Sequence, residues 1–325
     1  MRPDKMRTTD THRQGNAEFW PTLPYDEWRD TAMTLRLWIQ IVGKVRLKLT
    51  PWMNHSWHVP LYVSSRGLTT SPIPHGLHTF EIEFDFIHHE LRISKSNGED
   101  ATLQLRAYSV AEFYRTLMTV LDDLGLPVAI DRVPNELPEV IPFDQDETHR
   151  SYDPEYAKRF WRVLVQADRL LKIFRSRFCG KCSPVHFFWG SFDLAVTRFS
   201  GRSAPPHPGG LPHLPDTVTR EAYAQEVSSV GFWPGDERYP HAAFYSYGYP
   251  EPKGFGDGEV RPAAAFYSKE LRQFLLPYDK VCSAADPDGA ILEFAQSVYD
   301  RVTTLADWDR DSLDEASLNP PVPIQ

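Results

Sequence analysis

From Phe80 to Phe86 the chain alternates apolar and acidic side chains without a break. Phe80, Ile82, Phe84 and Phe86 share one side; Glu81, Glu83 and Asp85 share the other. A period of two is the mark of a half-buried β-strand. His88-His89-Glu90 then turns the chain, Leu91 to Ser96 returns, and Asn97-Gly98, a strong hairpin signal, sends it back through Ala101 to Arg106. The expectation is an antiparallel meander with one greasy face and one polar face.

Such a face needs a cover, and amphipathic helices flank it. Trp28, Ala32, Leu35, Trp38, Ile39, Val42, Val45 and Leu49 recur at three- and four-residue steps. They predict a long helix that starts near Pro24-Tyr25-Asp26 and stops at Pro51. Ser109 and Glu112 have capping-box spacing, and Val110, Phe113, Leu117, Val120, Leu121 and Leu124 form the stripe behind them, closed by Gly125 and Pro127. Between helix and meander, Trp57 to Val63 alternates and reads as a strand, which Pro60 confines to an edge or a bulge.

The same order returns after Ser151. Asp153-Pro154 opens a helix whose stripe is Tyr156, Phe160, Leu164, Ala167, Leu171, Phe174 and Phe178. Strand-rich segments follow at 185–199, 230–233, 244–249, 264–267 and 273–276, and Asp286-Pro287 opens a closing helix. The fold class expected is α+β: two similar halves, each a mainly antiparallel sheet backed by long helices, packed as one unit and suggesting duplication. The divisions are a loose leader over 1–18, a first half over 19–130, a Pro- and acid-rich linker over 131–150 expected to wrap over the surface, a second half over 151–310 and a tail over 311–325. The second half carries an insertion at 201–228, Pro/Gly-rich and then briefly helical.

Composition narrows the function classes. A net charge of −9 repels phosphate backbones and anionic lipid, so neither nucleic acid nor membrane is expected as a partner. No apolar run is long enough to span a bilayer, and the polar first 19 residues do not read as a secretory signal. Cys179, Cys182 and Cys282 are a sparse, odd set that suits a reducing compartment, and the cytoplasm is expected. Cys179-Gly-Lys-Cys182 lacks the second pair that a structural zinc site requires. The chain contains no G-x-G-x-x-G, P-loop or G-x-S-x-G string, so neither NAD nor ATP is expected, and no cofactor is predicted.

Candidate chemistry lies on the sheet faces. In the first half, Glu81, Glu83 and Asp85 share a face with Arg92, Gln104 and Arg106, with His58 and Tyr62 on the edge run. In the second half, the run from Ser183 to Phe199 is too apolar for a surface strand, yet it carries His186, Asp193 and Arg198. Buried charges need partners. Gly190 within that run marks a bulge or a close approach. Tyr245, Tyr247 and Tyr249 fall on one strand face, an amphipathic row suited to an organic ligand. The insertion adds His207, His213 and Glu226. No H-E-x-x-H or H-x-H string is present; a divalent metal would have to draw on His186, His207, His213 and Glu226 from separate elements.

Several strings together resemble a bacterial family known only as a domain of unknown function. They are Trp57 to Val63, Arg66-Gly67-Leu68-Thr69-Thr70-Ser71-Pro72-Ile73-Pro74, Phe80 to Phe86, Gly180 to Asp193, and Tyr249-Pro250-Glu251-Pro252. The similarity runs over roughly residues 19–310. It implies a soluble bacterial protein of a single full-length type and brings neither an activity nor a functional residue.

The functional expectation is an enzyme acting on a small organic, anionic substrate by acid–base chemistry of the isomerase, lyase or hydrolase type. Its pocket is expected between the sheets or under the insertion. His186, His58, Glu226 and Glu83 are the catalytic candidates. Arg198 and Arg66 would hold an anionic group, and Trp189, Trp233, Tyr245, Tyr247 and Asp193 would contact the ligand. The alternatives are a small-molecule-binding protein without catalysis, a metal-dependent enzyme with His and Glu ligands, and an interaction protein with exposed aromatics.

Overall fold

A computed structural model describes residues 18–314. The leader read over 1–18 and the tail over 311–325 lie outside these residues, apart from residue 18 and residues 311–314. Helix α1 (Tyr25–Leu49) leads into a sheet of β1 (Tyr62–Val63), β2 (Gly67–Thr69), β3 (Ile73–His75), β4 (His78–Asp85), β5 (Glu90–Lys95) and β6 (Asp100–Gln104), ordered β1-β2-β4-β5-β6 with β3 also paired to β4. Helices α2 (Val110–Asp123) and α3 (Pro154–Ser176) follow. The second sheet comprises β7 (His186–Phe188), β8 (Asp193–Ser203), β9 (Gln225–Trp233), β10 (Ala243–Tyr249), β11 (Phe266–Ser268) and β12 (Gln273–Pro277), ordered β11-β12-β10-β9-β8-β7. Helix α4 (Asp216–Ala222) interrupts it, and α5 (Tyr278–Ser283), α6 (Pro287–Leu305) and α7 (Arg310–Leu313) close the described chain. This is the α+β fold read from the sequence, with two six-stranded antiparallel sheets.

The local signals act as expected. Ser109 Oγ accepts from the Glu112 amide, Asp153 Oδ1 from the amides of Glu155 and Tyr156, and Asp286 Oδ1 from that of Gly289, each satisfying helix-start donors that otherwise lack partners. In β4 the apolar residues are buried, with Phe84 opposite Leu91 and Ile82 opposite Ile93. One apolar core runs from Trp20 through α1 and both sheets to Trp308. The sheets also touch directly: Leu61 and Phe187 exchange two backbone hydrogen bonds of 2.9 Å between the edges at β1 and β7.

Three sequence expectations need correction. Trp57 to Val63 is not one strand. Asn54–Ser56 winds into a 3₁₀ turn with His55 and Ser56 at positive φ, and pairing begins only beyond Pro60, with Leu61 bridged to Phe187 and Tyr62–Val63 forming β1. The run Ser183 to Phe199 is a hairpin rather than a single strand; the chain turns at Trp189–Phe192, where Phe192 is left-handed. Residues 131–150 are built into the body rather than laid over it, because Leu137, Phe143 and Asp146 are buried there.

The candidate cavity

The outer face of the second sheet differs from the outer face of the first. In the first, Arg92, Thr102 and Gln104 meet solvent. In the second, the cross-strand rows Ala195–Gly231–Tyr245 and Thr197–Ser229–Tyr247 form the floor of a cavity of about 230 Å³. The insertion roofs it through Leu211, Leu214 and α4, while His55 and Trp57 close one side and the 189–191 turn with Glu136 closes another. Trp57, Phe188, Trp189, Phe199, Tyr223, Tyr245 and Tyr247 all contribute wall.

Small residues make this floor workable. An ideal Cβ on Gly231 would sit 2.6 Å from the Tyr245 hydroxyl and 2.3 Å from the Leu194 carbonyl. Glycine there lets the Tyr245 ring lie over the sheet and donate to Asp193 Oδ2; Ser191 Oγ donates to Asp193 Oδ1. Tyr223 and Tyr247 join their hydroxyls at 2.7 Å, and Thr197 and Ser229 theirs at 3.0 Å. Burial raises the Asp193 carboxyl above the ordinary carboxylate range, partly offset by the hydrogen bonds from Ser191 and Tyr245. Burial and the Asp193 charge push the Tyr245 hydroxyl well above its ordinary value.

Glu136 completes the site, and helix α1 holds it there. Arg36, Gln40 and Lys44 recur every fourth residue and so share one face of the helix. Arg36 Nε donates to the Gly190 carbonyl (3.1 Å) and Nη2 to the Glu136 carbonyl (3.3 Å). The Gln40 amide clasps the Asn135 backbone, giving 3.0 Å to its carbonyl and accepting at 2.8 Å from its amide. Lys44 Nζ donates to the Val133 carbonyl at 2.7 Å. On the roof side, the Glu136 amide donates to the Pro212 carbonyl at 2.8 Å. Thus fixed, Glu136 adopts φ 59°, a left-handed conformation that costs a non-glycine residue about 1 kcal/mol or more. Among the described residues its carboxyl has no hydrogen-bonding partner. Burial, reinforced by the nearby Asp193 charge and opposed by Arg36, pushes its pKa up to about 7. A carboxyl poised there can take and return a proton at neutral pH.

The sequence candidates separate into two groups. Asp193, Trp189, Tyr245 and Tyr247 line the cavity; the others do not. His186 is fully buried beside it, ringed by Trp57, Tyr62 and Phe188 at 5.5–5.9 Å, with no partner for either ring nitrogen among the described residues. Burial, with help from Arg46 and Arg175, lowers its pKa to about 3. His58 is a buried structural acceptor for the Met53 amide. Glu83 accepts from Ser64 (2.6 Å) on the first sheet, and Glu226 pairs with Arg202 (2.7 Å). Trp233 stacks on Tyr239 farther along the strand. Arg198 points to the core face, packed on Phe174 and Tyr299 and donating to the Phe174 carbonyl. Arg66 pairs with Asp85 (2.7 Å) at the end of the first sheet. Neither guanidinium is therefore available to a molecule in the cavity.

The four metal-ligand candidates are also dispersed. His207 stacks on Tyr223, Glu226 is held by Arg202, His186 sits in its aromatic box, and His213 is exposed in the insertion. Among the described residues no three His, Cys, Asp or Glu side chains converge on a common point. No described helix is long and apolar enough to cross a membrane.

No curated protein and no solved structure matches the chain. A family model does match, over residues 20–315, and the chain belongs to that family, described as a family of unknown function, DUF5996.

Proposed function

We propose that this member of a family of unknown function is an enzyme that moves a proton on a small organic molecule held in the cavity, in an isomerisation, elimination or hydrolysis. The observation that carries the reading is Glu136: a carboxyl in an aromatic-walled cavity, with its pKa pushed up to about 7 and its backbone fastened from both sides. Strained, pKa-shifted groups gather at working sites. In this reading Glu136 is the general acid and base, Asp193 and Tyr245 form a fixed dipole beside it, and the Thr197–Ser229 and Tyr223–Tyr247 hydroxyl pairs orient the substrate. The cavity is smaller than the ~300–1,000 Å³ of drug-sized pockets, so the substrate is small. Three cysteines without a disulfide support a reducing compartment, the cytoplasm, and the helix–sheet–helix order of each half supports an origin by duplication.

A second reading, binding without catalysis, is favoured by the hydrogen bonds that already occupy Asp193 and the two hydroxyl pairs. A panel of small metabolites incubated with the protein and followed by mass spectrometry separates the two. Turnover by the native protein that Glu136→Gln abolishes supports the enzyme. A ligand that raises the melting temperature yet is returned unchanged by both proteins supports the binder.

A further inference from the structure

We propose that the cavity is built for a small organic cation, a protonated amine whose ammonium group sits between Glu136 and Asp193 while its hydrocarbon part lies on the aromatic wall. This rests on the reading of the cavity as the working site and names its substrate class.

The charge layout is the first argument. Both carboxyl-bearing residues belong to the wall, whereas the nearby cations stand behind it. Arg36 is absent from the lining and gives its donors to the Gly190 and Glu136 carbonyls; among the described residues it makes no salt bridge. Lys181 is also absent from the lining; its Nζ lies over the rings of Phe199 (4.8 Å) and Trp57 (5.7 Å) and against His55 Nε2 and Gln225 Oε1. A guest therefore meets negative charge first.

Ring chemistry is the second. Trp57, Trp189, Tyr223 and Tyr247 line the cavity, and a desolvated ammonium is drawn to aromatic rings. The third is the inventory of hydrogen-bonding groups. The two carboxyls offer acceptors, and an ammonium brings three donors and no acceptor. An anion would meet like charge at Glu136 and Asp193. An ammonium beside Glu136 opposes the burial and the Asp193 charge that keep its proton on, so a proton is released as the amine enters near neutral pH.

The test is calorimetry on the full chain at pH 7.5 and fixed ionic strength. Methylamine, butylamine and benzylamine are compared with their matched alcohols and with benzoate. At least one amine is expected to bind about tenfold or more tighter than its alcohol, with a proton released in buffers of different ionisation enthalpy and benzoate the weakest of the set. Glu136→Gln is expected to erase the preference, and an unchanged circular-dichroism spectrum of that variant separates charge recognition from a damaged fold. If no amine exceeds its alcohol, or if benzoate binds best, the assignment is overturned. The acid–base reading would survive either result and falls separately, when a molecule bound in the cavity is returned unchanged by the native protein.

Discussion

The carboxyl of Glu136 occupies the space where residue 190 would carry a side chain: an ideal Cβ on Gly190 falls 2.0 Å from Glu136 Oε1. Residues 54 positions apart thus share one small volume, and the glycine exists to leave it free.

Gly190→Ala is therefore a displacement experiment. Its φ is not in the left-handed region, and the clash is with the far end of a flexible side chain. The fold is expected to survive, with stability changed by less than ~1 kcal/mol. Once a substrate is in hand, turnover is expected to fall about 100-fold, the scale of a 1 Å misplacement. Unchanged turnover would remove Glu136 from the chemistry.

Glu136→Gln tests the proton itself. A loss of roughly 10²–10⁴ in turnover is expected for a lost general acid or base, and the native rate should follow a single ionisation near pH 7. Stability should move the other way. The folded pKa lies above the ordinary 4.5, so between about 4.5 and 7 the native state holds more of this proton than the unfolded state. Its contribution is complete below pH 4.5 and is lost as pH rises through 7. The glutamine variant should melt higher than the native protein at pH 8 and show little gain at pH 4.5, by calorimetric melting.

Gln40→Ala acts without touching the cavity. It removes both clasps on Asn135 and leaves a buried backbone amide and carbonyl unmet, at about 1–3 kcal/mol for such a group. Faster hydrogen exchange confined to residues 133–137, together with weaker turnover, is the expected pair. Loss of stability with unaltered exchange in that loop would sink this account.

His186→Leu should stabilise the protein in acid. The folded pKa of about 3 lies below the ordinary 6.5, so the unfolded state binds the extra proton between them. The neutral ring's contribution is intact above pH 6.5 and drains as pH falls toward 3, at up to ~1.4 kcal/mol per pH unit. Leucine abolishes that term and removes two unpartnered nitrogens. Denaturant midpoints at pH 5 and pH 8 should show a gain concentrated at pH 5; equal shifts at both would contradict it.

Helix starts, helix stripes and the Asn97-Gly98 hairpin were legible because each is written within a few neighbouring residues. So were Asp193, a charge within an apolar run, and the row Tyr245 and Tyr247 on one strand face. Glu136 was not. It lies in a Pro- and acid-rich stretch with no period, and its partners sit about 100 residues away on α1. A signal was present in Arg36, Gln40 and Lys44, polar residues every fourth position on a helix otherwise rich in core residues. Such a line announces that something polar must be met, but not what. His186 misled for the opposite reason: an imidazole inside an apolar strand suggests chemistry, and only the surrounding Trp57, Tyr62 and Phe188 reveal a sealed box.

The two backbone hydrogen bonds between Leu61 and Phe187, set in an apolar core common to both sheets, have a kinetic consequence. Halves riveted in this way cannot swing apart like jaws. What can give way is the roof, where Leu211 and Leu214 belong to residues 204–215, a stretch without helix or strand tied to Glu136 and Asn135 by two hydrogen bonds. Such a loop moves on a nanosecond-to-microsecond clock rather than the slower one of a domain hinge, and it is the same segment whose Pro212 carbonyl steadies the Glu136 backbone.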